Sequence, residues 1–478
     1  MKFFIILLIS LLLLTACEDK GYGTEDITNI PSITSNDKVQ ILTSTPKEIL
    51  AQKAYIAVKF SSYMSIESLN SSNIYLQDLN NSLNINLEID AKENYLYIKP
   101  LSSLLPSIAY KLTLKSSITD ILGNTLNRDY THTYTCRSNF WQSVKAGSSH
   151  SMAKSIEGDL FIWGSNANNQ ILDDSTSRSI PLGIIGLENV KDYSAGYNSS
   201  SIIKSDETLF SIGTLSISDT SSTNLKTISS GYNHTSFIKN DGTLWSWGDN
   251  DNGQIGNLSL TSQILPTQEY YKYTNWTKLS AGENFTIALR DDNTLWGWGD
   301  NTYGQIGDTL YKRRLTPTQE DSNTTTWSKL SAGGFHSVML KENGTLWSLG
   351  KNDSGQLGDA SNTTTNSPTQ EDTNSTNWTK LSAGYNHTCA INTLHELWCW
   401  GNNIFGQLGI NNTINQNAPI KVGTDNDWYS ISAGKYFTLA TKENGTLWAW
   451  GNNTNFQLGL GININNNIVP ILIPTEVK

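Results

Sequence analysis

Two glycine landmarks recur through the second part of the chain at one shared set of intervals. A small residue followed by glycine, usually Ala-Gly, sets glycines at 147, 196, 231, 282, 333, 384 and 434. A second glycine, closing Leu-Trp-x-Trp-Gly or a relative of it, falls at 164, 213, 248, 299, 350, 401 and 451. Both series step by 49, 35, 51, 51, 51 and 50 residues, so residues 138–478 hold seven copies of one unit.

The local pattern inside a unit is that of a sheet. Trp327–Ser331, His336–Lys341 and Thr345–Gly350 read as strands, turned by Ala332-Gly333 and by Asn343-Gly344. Asn and Gly tolerate the positive φ of a hairpin turn. Gly355-Gln-Leu-Gly358 then leads to a Pro368-Thr-Gln-Glu371 segment. Three or four short strands per unit make a propeller blade, and seven blades bury their faces by closing into a ring. Two units depart. The first has Asn169-Gln-Ile-Leu172 without glycines, and the second, 35 residues long, lacks the Gly-Gln-Leu-Gly loop and reads as a trimmed blade. No proline-initiated strand stands upstream of Trp141, so the tail Pro470–Lys478 is expected to supply a missing strand of the first blade.

Trp-Gly-x-Asn-x-x-Gly-Gln-Leu-Gly is the hallmark that these units resemble, that of the regulator of chromosome condensation repeat. It reads Trp247–Gly256, Trp298–Gly307 and Trp400–Gly409; Leu349 replaces the Trp in one copy, and Phe456 stands where a Gly is expected in the last. The resemblance implies a β-propeller that binds partners. The nuclear family member's exchange activity on a small GTPase is not carried over to an exported chain. Trp pairs such as Trp245/Trp247 and Trp296/Trp298 occupy ordinary repeat positions, so they read as blade packing rather than as the light sensor of a plant relative.

Residues 37–137 differ in kind. Tyr55–Phe60, Ser72–Leu76, Leu83–Ile89, Tyr95–Lys99 and Tyr110–Leu114 alternate apolar and polar side chains, as in an antiparallel sandwich of about seven strands. Phe60, Ser61, Met64, Asp120, Gly123 and Asn124 resemble the matching places of bacterial Ig-like domains, which serve as spacers or adhesive modules. Asp120 is read as a turn former, and Cys136 as a buried small hydrophobe or a free thiol. The fold class expected is therefore all-β: a seven-bladed propeller behind an Ig-like sandwich.

The chain begins as an exported protein. Lys2 precedes the apolar run Phe3–Leu14, whose helix would rise about 18 Å against a hydrocarbon core of about 30 Å. The run ends Leu14-Thr15-Ala16-Cys17, which resembles a bacterial lipobox. Residues 1–16 are then a signal peptide, Cys17 the lipidated N-terminus, and residues 17–36 a polar tether. The expected location is the bacterial envelope, at the periplasmic face of the outer membrane or the cell surface. That compartment permits disulfides. Cys389 and Cys399 lie on successive strands of the sixth unit, and a three-residue turn sets them opposite in a non-hydrogen-bonded pair, where a disulfide is expected.

The net charge of -10 argues against a nucleic-acid surface, which needs a basic stripe. His150, His234, His336 and His387 share one repeat position, but Phe285 and Phe437 fill it elsewhere, which indicates packing rather than a metal site. Asp249–Gly253 looks like the start of a calcium loop, yet Leu260 stands where the carboxylate at position 12 should be. No nucleophile elbow, His-Glu-x-x-His or Walker loop occurs, so no catalytic residue, cofactor or metal is assigned and the chain is read as non-enzymatic. The leading expectation is a binder of an unknown protein partner. Tyr270, Tyr271 and Tyr273, in a loop whose counterparts are polar, are the candidate contact residues. Alternatives are a propeller enzyme acting on polysaccharide and a structural or adhesive surface protein.

Overall fold

The computed structural model describes residues 38–45, 49–50, 56–92, 94–102, 104–105, 108–136, 140–171, 177–184, 187, 189–216, 222–461 and 470–477. The signal, the tether and Cys17 lie outside these residues.

The N-terminal sandwich has two sheets. One orders Ile41–Thr45, Ile56–Phe60, Tyr95–Pro100 and Leu87–Lys92. The other orders Ile49–Leu50, Tyr130–Cys136, Ala109–Leu114, Ile74–Asp78 and Asn84–Ile85. Among the described residues there are nine strands against the expected seven, two of them only two residues long. Period-two alternation sends Val58, Phe60, Leu76, Leu96, Ile98 and Leu112 into the core between the sheets. Cys136 is buried there, its thiol pushed up to about 12 by burial. Asp120 holds its own turn: Oδ1 accepts the Leu122 and Asn124 N–H groups, each at 2.9 Å.

The remaining chain forms seven sheets arranged as a propeller. Blade 1 contains Trp141–Ala146, His150–Ser155, Leu160–Ser165 and Ser177–Gly183, from the channel outward. Blades 3 to 7 repeat that four-strand order. Blade 2 has three strands among the described residues, Asp192–Ala195, Ser199–Ile203 and Leu209–Gly213, because only eleven residues separate Gly213 from the next blade at Leu225.

The tail does not complete blade 1. Ile471–Val477 pairs with Leu447–Gly451 as the outer strand of blade 7, with Leu447 opposite Val477. Blade 1 has no vacancy, since Ser177–Gly183 brings its own proline, Pro181, opposite Leu160–Ser165. Each outer strand follows its own loop in the chain, so the strand after Phe456–Gly459 belongs to blade 7. Blade 1 differs in what covers it. Ile180 and Leu182 are buried against Tyr97 of the sandwich, and Arg178 lies 5.4 Å from that ring. The equivalent Leu265 and Ile473 of blades 3 and 7 are 60% and 51% exposed.

The ring closes without strand exchange. At its axis the seven Ala-Gly or Ser-Gly corners meet. A Cβ on any of these glycines would fall under 3.0 Å from the next blade's glycine carbonyl, in the order 147, 196, 231, 282, 333, 384, 434 and back to 147. Ser Oγ atoms join neighbouring inner strands: Ala332 N donates to Ser280, Ala383 N to Ser331, and, across the closure, Ala146 N to Ser432 at 2.9 Å.

Two stability outcomes follow from this packing. Removing residues 470–478 strips blade 7 of its outer strand and should lower the melting temperature by about 10 °C. Gly333→Ala would place a methyl 2.5 Å from both the Gly384 carbonyl and His336 Cε1, and should cost about 3 kcal/mol. Gly423→Ala, where nothing lies within 4 Å, should cost only about 1 kcal/mol for its positive φ. Denaturant titration of both variants checks the contrast.

Candidate functional site: the aromatic mouth of the channel

Four blades grip the next through one relay, and blades 1 and 4 keep its hydroxyl half, Ser200 on the Gln170 carbonyl and Ser337 on that of Gln305. The Gln254 carbonyl of blade 3 accepts from Trp298 Nε1 at 2.9 Å and from Thr286 Oγ1 at 3.0 Å, both in blade 4. Gln356 does the same for Trp400 and Thr388, Gln407 for Trp450 and Thr438, and Gln457 for Trp163 and Ser151 across the closure. This is what the Gly-Gln-Leu-Gly loop contributes. Where blade 2 lacks it, Thr235 turns to Ser230 instead.

The four repeated histidines complete the relay. His150 Nε2 meets Ser200 Oγ, and His234, His336 and His387 meet Thr286, Thr388 and Thr438, all at 2.9–3.0 Å. Each hydroxyl already donates its single proton to a Gln carbonyl, Ser200 to that of Gln170, so each histidine must donate from Nε2 and carry a bare Nδ1. That Nδ1 is buried without a hydrogen-bond partner among the described residues. Burial holds His150 and His234 down to about 4 and His336 and His387 down to about 3. No group of three or more metal-ligating side chains occurs among the described residues.

Cys389 and Cys399 sit directly opposite on the second and third strands of blade 6, with Cα atoms 4.1 Å apart, and are joined as a disulfide. Antiparallel topology separates the loops into two ends. The Ala-Gly corners and the Gly-Gln-Leu-Gly loops lie at one end; the Asn-Gly hairpins and the Tyr270 loop lie at the other. At that second end the Glu269 carboxylate accepts the Tyr271 and Tyr273 N–H groups at 2.7 and 2.5 Å. Tyr273 is absorbed into the fold, packed on Trp276 and Trp296 under the Arg290 guanidinium, 4.4 Å from its ring. Tyr270 and Tyr271 remain 49% and 48% exposed. The three rings run on from one another, Tyr270 to Tyr271 at 5.2 Å and Tyr271 to Tyr273 at 5.4 Å, with Tyr273 half-buried at the inner end.

The channel mouth at the first end is richer. It opens on a cavity of about 120 Å³ lined by the seven corners and by the residue after each glycine: Ser148, Tyr197, Tyr232, Glu283, Gly334, Tyr385 and Lys435. Around it runs an arc of half-buried rings. Tyr303, Phe335, Tyr385 and Tyr436 follow one another at 5.5, 5.4 and 6.0 Å, and Phe405 stands 5.1 Å from Tyr436. Tyr197 and Tyr232 pair at 4.0 Å. Lys351 lies over Tyr303 and Phe335, and Lys435 over Tyr197, Tyr385 and Tyr436 at 4.7, 5.0 and 5.5 Å. Burial pushes the Glu283 carboxyl up, against the opposing pull of a Tyr385 hydrogen bond and the Lys435 charge. Burial and the Glu283 charge in turn push up the Tyr385 hydroxyl.

Asn198, Asn233, Asn284 and Asn386 hold the repeat position that Phe335 and Tyr436 occupy in blades 5 and 7. The fold thus accepts a polar residue there, and the aromatics are additions to it. Sequence reasoning passed over this set. Its signal was variation at the two positions after the corner glycine inside an otherwise constant motif.

The fold is a seven-bladed propeller with an aromatic, charged channel mouth. A family model described as RCC1-like domain matches residues 215–478, more than half of the chain, and one for the regulator of chromosome condensation (RCC1) repeat matches residues 141–170. The chain belongs to the RCC1-like family. Residues 35–136 match a bacterial Ig-like domain. The ultraviolet-B receptor UVR8 of Arabidopsis thaliana is 30% identical over 183 residues, 37% of this chain and 41% of that protein. The human E3 ubiquitin-protein ligase HERC2 is 24% identical over 277 residues, 56% of this chain but 5% of that protein. The chain thus spans less than half the length of these relatives. Human WBSCR16 shares the fold with a TM-score of 0.50 at 17% identity, covering 74% of this chain and 86% of that one. Yeast RCC1 (Prp20), solved bound to Kap60, does so with 0.50 at 18%, covering 71% and 75%.

The histidine relay makes acid stability testable. In the unfolded chain these imidazoles titrate near 6.5; in the fold they stay neutral far below that. Folding stability is therefore complete above about pH 6.5 and falls as the pH drops toward 4. His336→Phe, which copies Phe285 and Phe437, should lose less stability over that interval than the parent chain. Urea titrations at pH 7 and pH 4.5 measure the difference.

Proposed function

We propose that this chain is a lipid-anchored bacterial envelope protein whose propeller binds a protein partner through the aromatic mouth of its channel. The observation that carries the reading is the ring of Tyr and Phe side chains at positions where the fold needs none. Half-buried tyrosines with adjacent lysines have the composition of binding hot spots. The lipobox-like Leu14-Thr15-Ala16-Cys17 supports anchoring through Cys17, and the Ig-like sandwich serves as a spacer between membrane and propeller. RCC1-like propellers are generally protein-interaction modules. The mouth offers a single carboxylate, Glu283, whereas glycan hydrolysis calls on a pair.

Crosslinking capture from the native envelope tests this. A Tyr385→Ser/Tyr436→Ser double variant should lose the captured partner, while Tyr270→Ser/Tyr271→Ser, at the opposite end, should retain it. Loss only in the second variant would move the site to the other face.

A further inference from the structure

The mouth contains one charged group whose bonding is incomplete. Glu283 Oε2 is buried and has no hydrogen-bond partner among the described residues. The other six blades carry Ser148, Tyr197, Tyr232, Gly334, Tyr385 and Lys435 at that position, so nothing in the ring requires a carboxylate there. A buried carboxylate oxygen without a donor is a standing cost that a fold does not need to carry.

The surroundings are shaped for a positive guest. Glu283 stands between Tyr232 and Tyr385, whose hydroxyls both feel its charge. Tyr385 reaches it across the channel from blade 6 because blade 5 has a glycine in the way. A Cβ on Gly334 would lie 2.9 Å from Tyr385 Cδ2. Neighbouring rings already hold a cation, since Lys435 lies over Tyr197, Tyr385 and Tyr436. Charge at this end is also unequal. Among the described residues the corners and loops of this end carry seven carboxylates against five cations, with Lys312, Arg313 and Arg314 in the loop after Gly307 and Lys351 paired to Asp353.

We infer that the mouth accepts a basic side chain, Lys or Arg, presented by the protein partner, and that Glu283 pairs with it between the rings of Tyr232 and Tyr385. This rests on the mouth being the partner site. The guest supplies the donor that Glu283 Oε2 lacks and gains cation–π contact from the two tyrosines. Lys435 stays on the Tyr197–Tyr436 side, and its repulsion of the guest limits affinity.

Calorimetry with the full-length protein in neutral detergent, at physiological ionic strength, tests the pairing with a hexa-arginine peptide and a hexaglutamate control. Hexa-arginine should bind and hexaglutamate should not. Glu283→Gln should weaken binding at least tenfold, and Lys435→Met should strengthen it several-fold. Asp251→Asn, an acid on the same face away from the mouth, should change it less than twofold. Thermal melts confirm that each variant is folded. Equal binding by the parent and Glu283→Gln, or an equal loss in Asp251→Asn, would overturn the inference in favour of diffuse attraction to an acidic surface. No hexa-arginine binding, with partner capture still lost in the Tyr385→Ser/Tyr436→Ser variant, would overturn the charge class and leave the mouth as partner site. Partner capture unaffected by that double variant would instead remove the site itself.

Discussion

Seven glycines set the scale of the propeller. Each presses its Cα against the carbonyl of the next, from Gly147 round to Gly434 and back, with no room for a methyl at any step. Backbone N–H groups cross the same junctions: Ser148 to Gly196, Tyr197 to Gly231, Tyr385 to Gly434 and Lys435 to Gly147. Close approach at the axis lets the serines beside these corners reach the adjacent strand, and the rest of each interface follows outward from there. Any other residue at these corners would widen the ring and pull the outer contacts apart.

Farther from the axis, a buried polar relay accompanies the apolar clusters that span each pair of neighbouring blades. A Gln carbonyl takes a Trp N–H and a Ser or Thr hydroxyl from the next blade, and in four blades a histidine donates to that hydroxyl. Every donor and acceptor in the relay is buried, so a small rotation of one blade would leave several unpaired. Phe285 and Phe437 show that the histidine is dispensable where packing alone suffices. Blade 2, without its loop, has the weaker version, with Trp247 donating to the Leu215 carbonyl at 3.4 Å.

Repetition also separates structure from function within one chain. Residues that the ring needs appear in nearly every unit: the corner glycine, the serine two places before it, the Gln of the loop. Residues that stand out from that pattern cluster at one end of the channel. Tyr197, Glu283, Tyr385 and Lys435 take the same place in their blades, yet bring three different chemistries to it: phenol, carboxylate and ammonium. Gly334 belongs with them, because its missing side chain is what admits the Tyr385 ring.

The seven units, the strands and turns within them, the sandwich ahead of them and the register that sets Cys389 opposite Cys399 were all readable from the residues alone. These are local properties, legible because hydrophobic period, turn glycines and hairpin length act over a few residues. Assignment of the tail to blade 7 was legible in chain order, since Pro474-Thr475 follows the Phe456–Gly459 loop as Pro266-Thr267 follows Gly253–Gly256; the expectation that it completes blade 1 overlooked this. Tyr270, Tyr271 and Tyr273 adjoin as rings, but the fold decides how much of each is open: Tyr273 packs on Trp276 and the other two stay outside. The mouth was hidden. Lys435 and Tyr197 are 238 residues apart and meet at 3.3 Å. Only closure of the ring, which draws seven distant corners to one axis, decides that such side chains face one another.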